Sequence, residues 1–109
     1  MSYDITIGKY DFNYTFNVSR LFYDHIPDAG KGGGLRELNG VKGKEAQKIL
    51  FEFFRNVEET KRRCSSEAEF QNRYDAPNGW GSTIGALILM ARILSICALH
   101  PRHVVHVSM

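Results

Sequence analysis

The clearest pattern in the chain is a strict alternation of apolar and polar residues near its start. From Tyr10 to Val18 every second residue is apolar, and polar residues lie between them: Asp11, Asn13, Thr15 and Asn17. Because successive side chains of a strand point to opposite faces, this segment is predicted to be a half-buried strand. A shorter alternation spans Tyr3 to Ile7, and Gly8-Lys9 between the two runs suits a tight turn. The N-terminus is therefore predicted to form a β-hairpin.

Helical periodicity marks the middle of the chain. From Lys44 to about Arg63 the apolar residues fall on one stripe of a helix: Ala46, Ile49, Leu50, Phe53, Phe54 and Val57. The segment from Ser82 to about Leu99 is apolar on nearly every side, which predicts the central helix of the core. Shorter helices are predicted from Ser19 to about Ile26 and from Ser66 to Tyr74. Three of these four helices begin at a serine that is placed to cap the helix start: Ser19, Ser66 and Ser82.

A short run of valines after Pro101 predicts a final strand over Val104–Val107. A hairpin, then helices, then a strand favours an α+β fold. In that fold a small antiparallel sheet, made of the N-terminal hairpin and the C-terminal strand, packs on helices. The length suits one core, so we expect residues 1–109 to form a single domain.

The composition is that of an ordinary folded protein, with 43% apolar and 24% charged residues, which argues against a disordered chain. The formal net charge is only +2, so nucleic-acid binding is not indicated, since such proteins usually carry stronger basic patches. No signal-peptide pattern is present, and the apolar run Ile84–Leu99 is shorter than the ~20 residues that span a bilayer. We therefore expect a cytoplasmic location without membrane association.

No arrangement of residues points to catalysis or to a metal. Hydrolase and zinc-protease motifs are missing, and Cys64 and Cys97 fit no metal or redox spacing. The C-terminal histidines resemble a metal cluster on paper, but His103 and His106 would point to opposite faces of a strand. We expect neither a metal nor a cofactor, and a small enzyme is the least favoured functional hypothesis.

Within the glycine-rich segment Asp28–Gly34, the loop Gly30–Gly34 superficially resembles a phosphate-binding loop. A P-loop requires a lysine followed by Ser or Thr at a helix start, and no Ser or Thr follows Lys31. We interpret the segment as a flexible connector. A mobile flap over a ligand is the alternative.

The segment Pro77–Ser82 holds the only tryptophan, Trp80, between two glycines and directly before the apolar helix. An exposed indole here could stack on a base, and the backbone N–H groups near Ser82 could hold phosphate. The alternative is that Trp80 packs inward and anchors the loop to the core. The candidate ligand-binding residues are those of this loop and two cations that could close over it: Asn78, Gly79, Trp80, Gly81, Ser82, Lys31 and Arg36.

The polar residues of the N-terminal strand form a second candidate surface. A solvated sheet face is the favoured interpretation. However, Asn and Asp are poor strand formers, so a row of such side chains is also a sign of recognition. Its members are Asp11, Asn13, Thr15 and Asn17.

Three segments together resemble a family of small accessory proteins encoded by tailed bacteriophages and related mobile elements. They are Asn13–Val18 with the helix after it, Pro77–Ser82, and His100-Pro101 with Val105, Val107 and Ser108. The chain departs from that pattern in its longer Gly30–Gly34 loop. The resemblance implies no catalytic residue. It implies a protein of the bacterial host's cytoplasm that counters host defence, by sequestering a nucleotide signal or by blocking a defence protein.

Two functional hypotheses are favoured over that of an enzyme. The favoured one is a non-enzymatic binding protein for a small nucleotide-like anionic ligand, with its site at Asn78–Ser82. The alternative is a direct protein inhibitor of a host defence complex or nuclease, acting through the polar strand face or an exposed aromatic patch.

We also expect a homo-oligomer, most simply a dimer. A small sheet leaves exposed edges, and the strand from Tyr10 to Val18 is long enough to pair across a two-fold axis. Phe51 falls beside the apolar stripe of its helix, where an exposed aromatic ring would suit a subunit interface. The alternative is that Phe51 packs under a loop of its own chain.

Overall fold

A computed structural model of the protein describes all 109 residues. It contains, in chain order, the strands and helices β1 (Ser2–Ile7), β2 (Tyr10–Thr15), a 3₁₀ turn (Phe16–Val18), α1 (Ser19–His25), a 3₁₀ helix (Gly34–Leu38), α2 (Gly43–Arg63), α3 (Glu67–Tyr74), α4 (Thr83–Leu99) and β3 (Val105–Ser108). The three strands form one antiparallel sheet that packs with the helices. The α+β class predicted from the sequence is therefore confirmed.

The hairpin and the final strand are arranged with β1 in the middle, in the order β2-β1-β3. The turn at Gly8-Lys9 has two residues, and only Gly8 has a positive φ, +57°. This is the pattern of a type II′ turn, whose twist matches that of the flanking strands. The C-terminal strand pairs with β1 and so completes the sheet that the sequence predicted.

The strand with the longer alternation, β2, is less buried than the strand with the shorter one, β1. Ile5 and Ile7 of β1 are fully buried, whereas Tyr10 and Phe12 of β2 are only half-buried. The reason is position, because β1 has a neighbouring strand on each side and β2 lies at an edge. The predicted strand to Val18 also ends early, at Thr15, whose hydroxyl accepts the N–H of Asn17 at the start of the 3₁₀ turn.

Two of the three predicted serine caps are confirmed. The hydroxyl of Ser66 accepts the N–H of Glu69, and that of Ser82 accepts the N–H of Gly85. The prediction for Ser19 is wrong, since its hydroxyl bonds instead with the phenol of Tyr3 at 2.7 Å. Helix α1 is held by this contact with β1 rather than by a cap.

The long helices α2 and α4 pack against each other. Helix α2 buries most of its predicted stripe, and Phe51 beside that stripe is 61% exposed, so it does not pack under a loop. Helix α4 is not covered on all sides as its composition suggested. Its buried side includes Met90 and Ile93, but Ile84 and Ile88 on the opposite side are about half exposed. None of the helices combines the length and apolar content that crossing a bilayer requires.

The glycine-rich segment is folded around a carboxylate of the chain itself. Glu37 is only 4% exposed, and it accepts three backbone N–H groups at 2.9–3.1 Å, those of Ala29, Lys31 and Gly33. Asp28 accepts the N–H groups of Gly30 and Gly32, and these hydrogen bonds lower the pKa of Asp28. The segment is therefore a hydrogen-bonded loop rather than the flexible connector predicted from its composition.

Candidate functional site

The loop between α3 and α4 is organised by its own hydrogen bonds. The side chain of Asn78 accepts the N–H of Trp80 at 3.0 Å, which closes a tight turn. Gly79 and Gly81 have φ values of +76° and +112°, in the region that favours glycine. The backbone of Ala76 bonds to that of Gly81 at the base of the loop. The sequence Asn-Gly-Trp-Gly thus forms a compact turn that presents the indole.

The same loop is attached to the end of β2. The side-chain amide of Asn17 donates to the carbonyl of Trp80 at 3.1 Å. The phenol of Tyr14 donates to the carbonyl of Ser82 at 3.0 Å and lies 3.2 Å from its N–H. Gly81 approaches Thr15 so closely that a Cβ on Gly81 would lie 2.5 Å from the Thr15 methyl group. These contacts hold the tryptophan loop against the strand.

This attachment creates a cavity of about 540 Å³ that joins the two candidate surfaces of the sequence. Trp80 at its side is 73% exposed, so the inward-packed alternative is wrong. The lining residues come from the strand, the 3₁₀ turn and the loop: Met1, Ser2, Asn13, Thr15, Asn17, Asn78 and Trp80. We refer to this cavity as the polar pocket.

The hydrogen bonds already made by the three asparagines determine what they can still offer. The Asn13 amide donates to the Asp4 carboxylate at 2.7 Å and to the Ser2 hydroxyl at 3.0 Å. The Asn17 amide donates to Trp80. The carbonyl oxygens of these two side chains remain available as acceptors, and the NH₂ group of Asn78 remains available as a donor. A mixed set of donors and acceptors beside an indole suits a flat, polar heterocycle.

Most of the groups predicted to hold phosphate bond within the chain or lie outside this pocket. Two N–H groups at the start of α4 are engaged within the chain: that of Thr83 donates to Asp75 at 2.7 Å, and that of Gly85 donates to the Ser82 hydroxyl at 2.9 Å. Lys31 bonds to the carbonyl of Asn39 instead. Arg36 lies beside Gly32. No lysine or arginine side chain lines the pocket.

The remaining predicted residues have supporting or separate positions. Gly79 and Gly81 shape the loop, and Ser82 caps α4, without lining the pocket. Asp11 lies further along β2, where it accepts a hydrogen bond from Thr6. Ser2 lines the pocket and the hydroxyl of Tyr14 holds the loop, and neither was predicted from the sequence. Tyr14 belongs to the apolar half of the alternation, so nothing in the pattern indicated that its phenol reaches the loop.

Perturbed acidity occurs away from the polar pocket. Burial lowers the pKa of His25 and raises the pKa of Cys97 to about 11. Burial, together with a hydrogen bond to Asp24, raises the pKa of Tyr74 to about 12. The rings of His100 and His103 stack at 4.9 Å, and no group of three metal-ligating side chains comes together.

A second cavity, of about 440 Å³, lies on the other face of β2 between that strand and α4. It shares no lining residue with the polar pocket and is mostly apolar. Its walls are formed by Tyr10, Phe12, Ile88, Ala91, Arg92, Ser95 and Ile96. We refer to it as the apolar groove.

No protein-family model, curated protein or solved structure matches this chain.

Proposed function

We propose that this protein is a non-enzymatic binding protein that sequesters a small nucleotide-like ligand in the polar pocket. The observation that carries the proposal is Trp80, an indole left 73% exposed beside three asparagine side chains. A large exposed aromatic ring held by a hydrogen-bonded loop is a ready stacking surface, and stacking is worth about 1–3 kcal/mol per base.

The lining of the pocket favours recognition of the base over recognition of the phosphate. Its polar side chains are amides and hydroxyls, which can read the edge of a heterocycle through paired donors and acceptors. Phosphates of a bound nucleotide would lie at the open rim, where water solvates them. These side chains suit holding a ligand rather than transferring protons, which supports binding without catalysis.

The resemblance to phage accessory proteins provides the context of the proposal. A protein that holds a host nucleotide signal without altering it would lower the free concentration of that signal. Such a role needs affinity and abundance but no catalytic group.

The protein-inhibitor hypothesis has one observation in its favour, the exposed apolar side of α4. Ile84 and Ile88 lie on this side, and Ile88 lines the apolar groove rather than the polar pocket. This second candidate function would therefore use different residues from the first, and the two can be tested separately.

Isothermal titration calorimetry of the full chain tests ligand binding. The probes are cyclic dinucleotides, ADP-ribose, the corresponding free nucleosides, and inorganic pyrophosphate. We expect heat with at least one base-containing probe and none with pyrophosphate. Absence of heat with every nucleotide and nucleoside, at protein concentrations above micromolar, would contradict the proposal. Heat with pyrophosphate alone would contradict recognition through the base.

A matched pair of variants identifies the stacking residue. Trp80→Leu removes the indole of the pocket, and Phe51→Leu removes an aromatic ring of similar exposure on α2. We expect Trp80→Leu to weaken binding at least tenfold and Phe51→Leu to leave it unchanged. Equal effects of the two variants would show that the pocket is not the binding site.

A further inference from the structure

The two edges of the sheet differ in how their backbone groups are satisfied. On β3 the outward groups belong to Val105 and Val107. The N–H of Val105 donates to the carbonyl of Val41, its carbonyl accepts from Gly40, and the N–H of Val107 donates to the side chain of Asn39. The segment before α2 therefore covers this edge, which is a common protection against pairing with another chain.

The edge formed by β2 has no such cover. In a two-residue hairpin the pair that flanks the turn, Ile7 and Tyr10, is hydrogen-bonded, and hydrogen-bonded pairs alternate along the ladder. The backbone groups of Tyr10, Phe12 and Tyr14 therefore bond to β1. Those of the intervening residues point outward, and their N–H groups have no partner in the chain: Asp11, Asn13 and Thr15.

The apolar groove lies alongside this open edge. Tyr10 and Phe12 form its strand side and Ile88, Ala91 and Ile96 its helix side. Arg92 is the only charged residue in the lining. An added strand would find unpaired backbone groups at the edge and an apolar surface for every second side chain, the two requirements of strand addition to a sheet.

We propose that the added strand is β2 of a second copy of this chain. The two strands would run antiparallel about a two-fold axis at Asn13 and would join the two sheets into one of six strands. We choose a second copy as the partner because two β2 strands complement each other when they run antiparallel. In this register Asp11 lies opposite Thr15 of the second copy, so like charges are not opposed.

The same register brings aromatic residues together on the apolar face. Phe12 lies opposite Tyr14 of the second copy in a non-hydrogen-bonded pair, where side chains approach most closely. A register centred on Asp11 would instead place two carboxylates opposite each other, which is destabilising. The charge pattern of β2 therefore excludes the Asp11-centred register, and the close Phe12–Tyr14 pairs favour the Asn13-centred dimer. The exposed isoleucines of α4 flank this contact, and we expect the second copy to cover Ile88.

Light scattering coupled to size exclusion tests the dimer with the full chain. We expect a mass of twice 12.4 kDa that falls toward the monomer mass on dilution. Ile88→Arg places a charge on an exposed position of the groove, and we expect it to raise the dissociation constant at least tenfold while leaving the fold intact. A mass near 12.4 kDa for the parent chain at every concentration up to millimolar would overturn the proposal.

Two substitutions at Asp11 distinguish the contribution of its backbone N–H to dimerisation from that of its side chain. Asp11→Pro removes one outward N–H at a position where an edge strand tolerates proline, and Asp11→Ala keeps that N–H. We expect a monomer for Asp11→Pro and a dimer for Asp11→Ala, with circular dichroism to confirm that both fold. A dimer for folded Asp11→Pro would overturn pairing through this edge, and so would a monomer for both variants.

A disulfide tests the register and stays decisive if Asp11→Pro fails to fold. On the two-fold axis the Cα atoms of Asn13 from both copies would be about 5.5 Å apart, within the range that a disulfide spans. In a Cys64→Ser background, we expect Asn13→Cys to form a covalent dimer on mild oxidation and Asp11→Cys to do so at least tenfold more slowly. Equal rates for the two variants would overturn the Asn13-centred register.

Discussion

The two faces of β2 make an instructive pair, because one six-residue strand contributes to two cavities of opposite character. On one face Asn13 and Thr15 line the polar pocket, and on the other Tyr10 and Phe12 line the apolar groove. The polar face is completed within the chain by the tryptophan loop. The apolar face remains open beside an unpaired strand edge. The alternation of an edge strand can thus encode two separate surfaces, since successive side chains point to opposite faces of the sheet.

One residue crosses this division. Tyr14 belongs to the apolar face by position, yet its phenol bonds to the backbone of Ser82 in the loop that completes the polar pocket. The two surfaces are therefore separate in their lining but linked through the contact of the loop with the strand. Substitutions in that contact, in the core around His25 and in each cavity test how far the two surfaces are independent of each other.

The largest effect is expected where the loop touches the strand. In Gly81→Ala the new Cβ would meet the methyl group of Thr15 at 2.5 Å, in a backbone conformation with φ of +112°. We expect a loss of about 2–4 kcal/mol in the free energy of unfolding, together with loss of ligand binding. Gly79→Ala is the matched control, because φ is also positive there but nothing lies within 4 Å of the added Cβ. We expect a loss of only about 1 kcal/mol for it, and equal losses would contradict the close-contact argument.

A change of pH is expected to weaken the part of the core where α1, α2 and α3 meet around His25. His25 is buried between Leu21 and Thr60, whose oxygen atoms lie 2.6 and 2.8 Å from its ring nitrogens, and burial lowers the pKa of His25. Below the unfolded pKa of about 6.5, the unfolded chain binds a proton that the folded chain resists. The free energy of unfolding should therefore fall as pH decreases from about 6.5 toward the folded pKa, by at most about 1.4 kcal/mol per pH unit.

Urea unfolding between pH 7 and pH 5, followed by Trp80 fluorescence and by circular dichroism, measures this dependence. His25→Gln should flatten it, because the variant has no titrating group at this position. An unchanged slope in His25→Gln would assign the pH dependence to other residues. Different midpoints for the two signals would show that the loop unfolds separately from the core.

A smaller effect is expected for the hydroxyl that links the two faces. Tyr14→Phe removes the hydrogen bonds to Ser82 while keeping the ring in the apolar layer. We expect a loss of about 1 kcal/mol in stability and a few-fold weaker ligand binding. Tyr10→Phe removes a hydroxyl from the same face at the other end of the strand. If it weakened ligand binding as much as Tyr14→Phe, the loop contact would not be the cause.

The smallest effect is expected when a substitution in one cavity is tested for its effect on the property assigned to the other, ligand affinity for the polar pocket or mass in solution for the apolar groove. Ile88→Arg in the apolar groove should leave ligand affinity within about twofold of the parent chain when both are measured at concentrations that keep them monomeric, since the polar pocket contains no residue of the groove. Conversely, Trp80→Leu should leave the mass in solution unchanged. A reduction of both properties by either variant would show that the two faces of β2 are not independent.

The sequence was sufficient for the features that depend on neighbours along the chain. The hairpin followed from period-two alternation and Gly8-Lys9, the long helices from their apolar spacing, and the caps of α3 and α4 from Ser66 and Ser82. Each of these depends on contacts within a few residues. The α+β class then followed from the order of the segments.

The features that depend on distant contacts were out of reach. Alternation shows that a strand has two faces, but it does not show which strand will be central, so it gave no indication that β1 rather than β2 lies in the middle of the sheet. Asn17 meets Trp80 across 63 residues of sequence, and nothing local indicated that the two candidate surfaces form one pocket. Lys31 and Arg36 were assigned to the loop by charge alone, whereas the path of the chain places them elsewhere.

The glycine-rich segment has a consequence for anion binding that its composition concealed. Three of its N–H groups converge on the carboxylate of Glu37, much as such groups converge on phosphate in a nucleotide-binding loop. The occupying anion is part of the chain, so it is held at a high effective concentration beside these N–H groups. The carboxylate of Glu37 therefore occupies an anion-binding loop of its own chain, and Glu37→Gly would remove that carboxylate. Stabilisation of that variant by added acetate or phosphate would show how much of this loop's order depends on one negative charge.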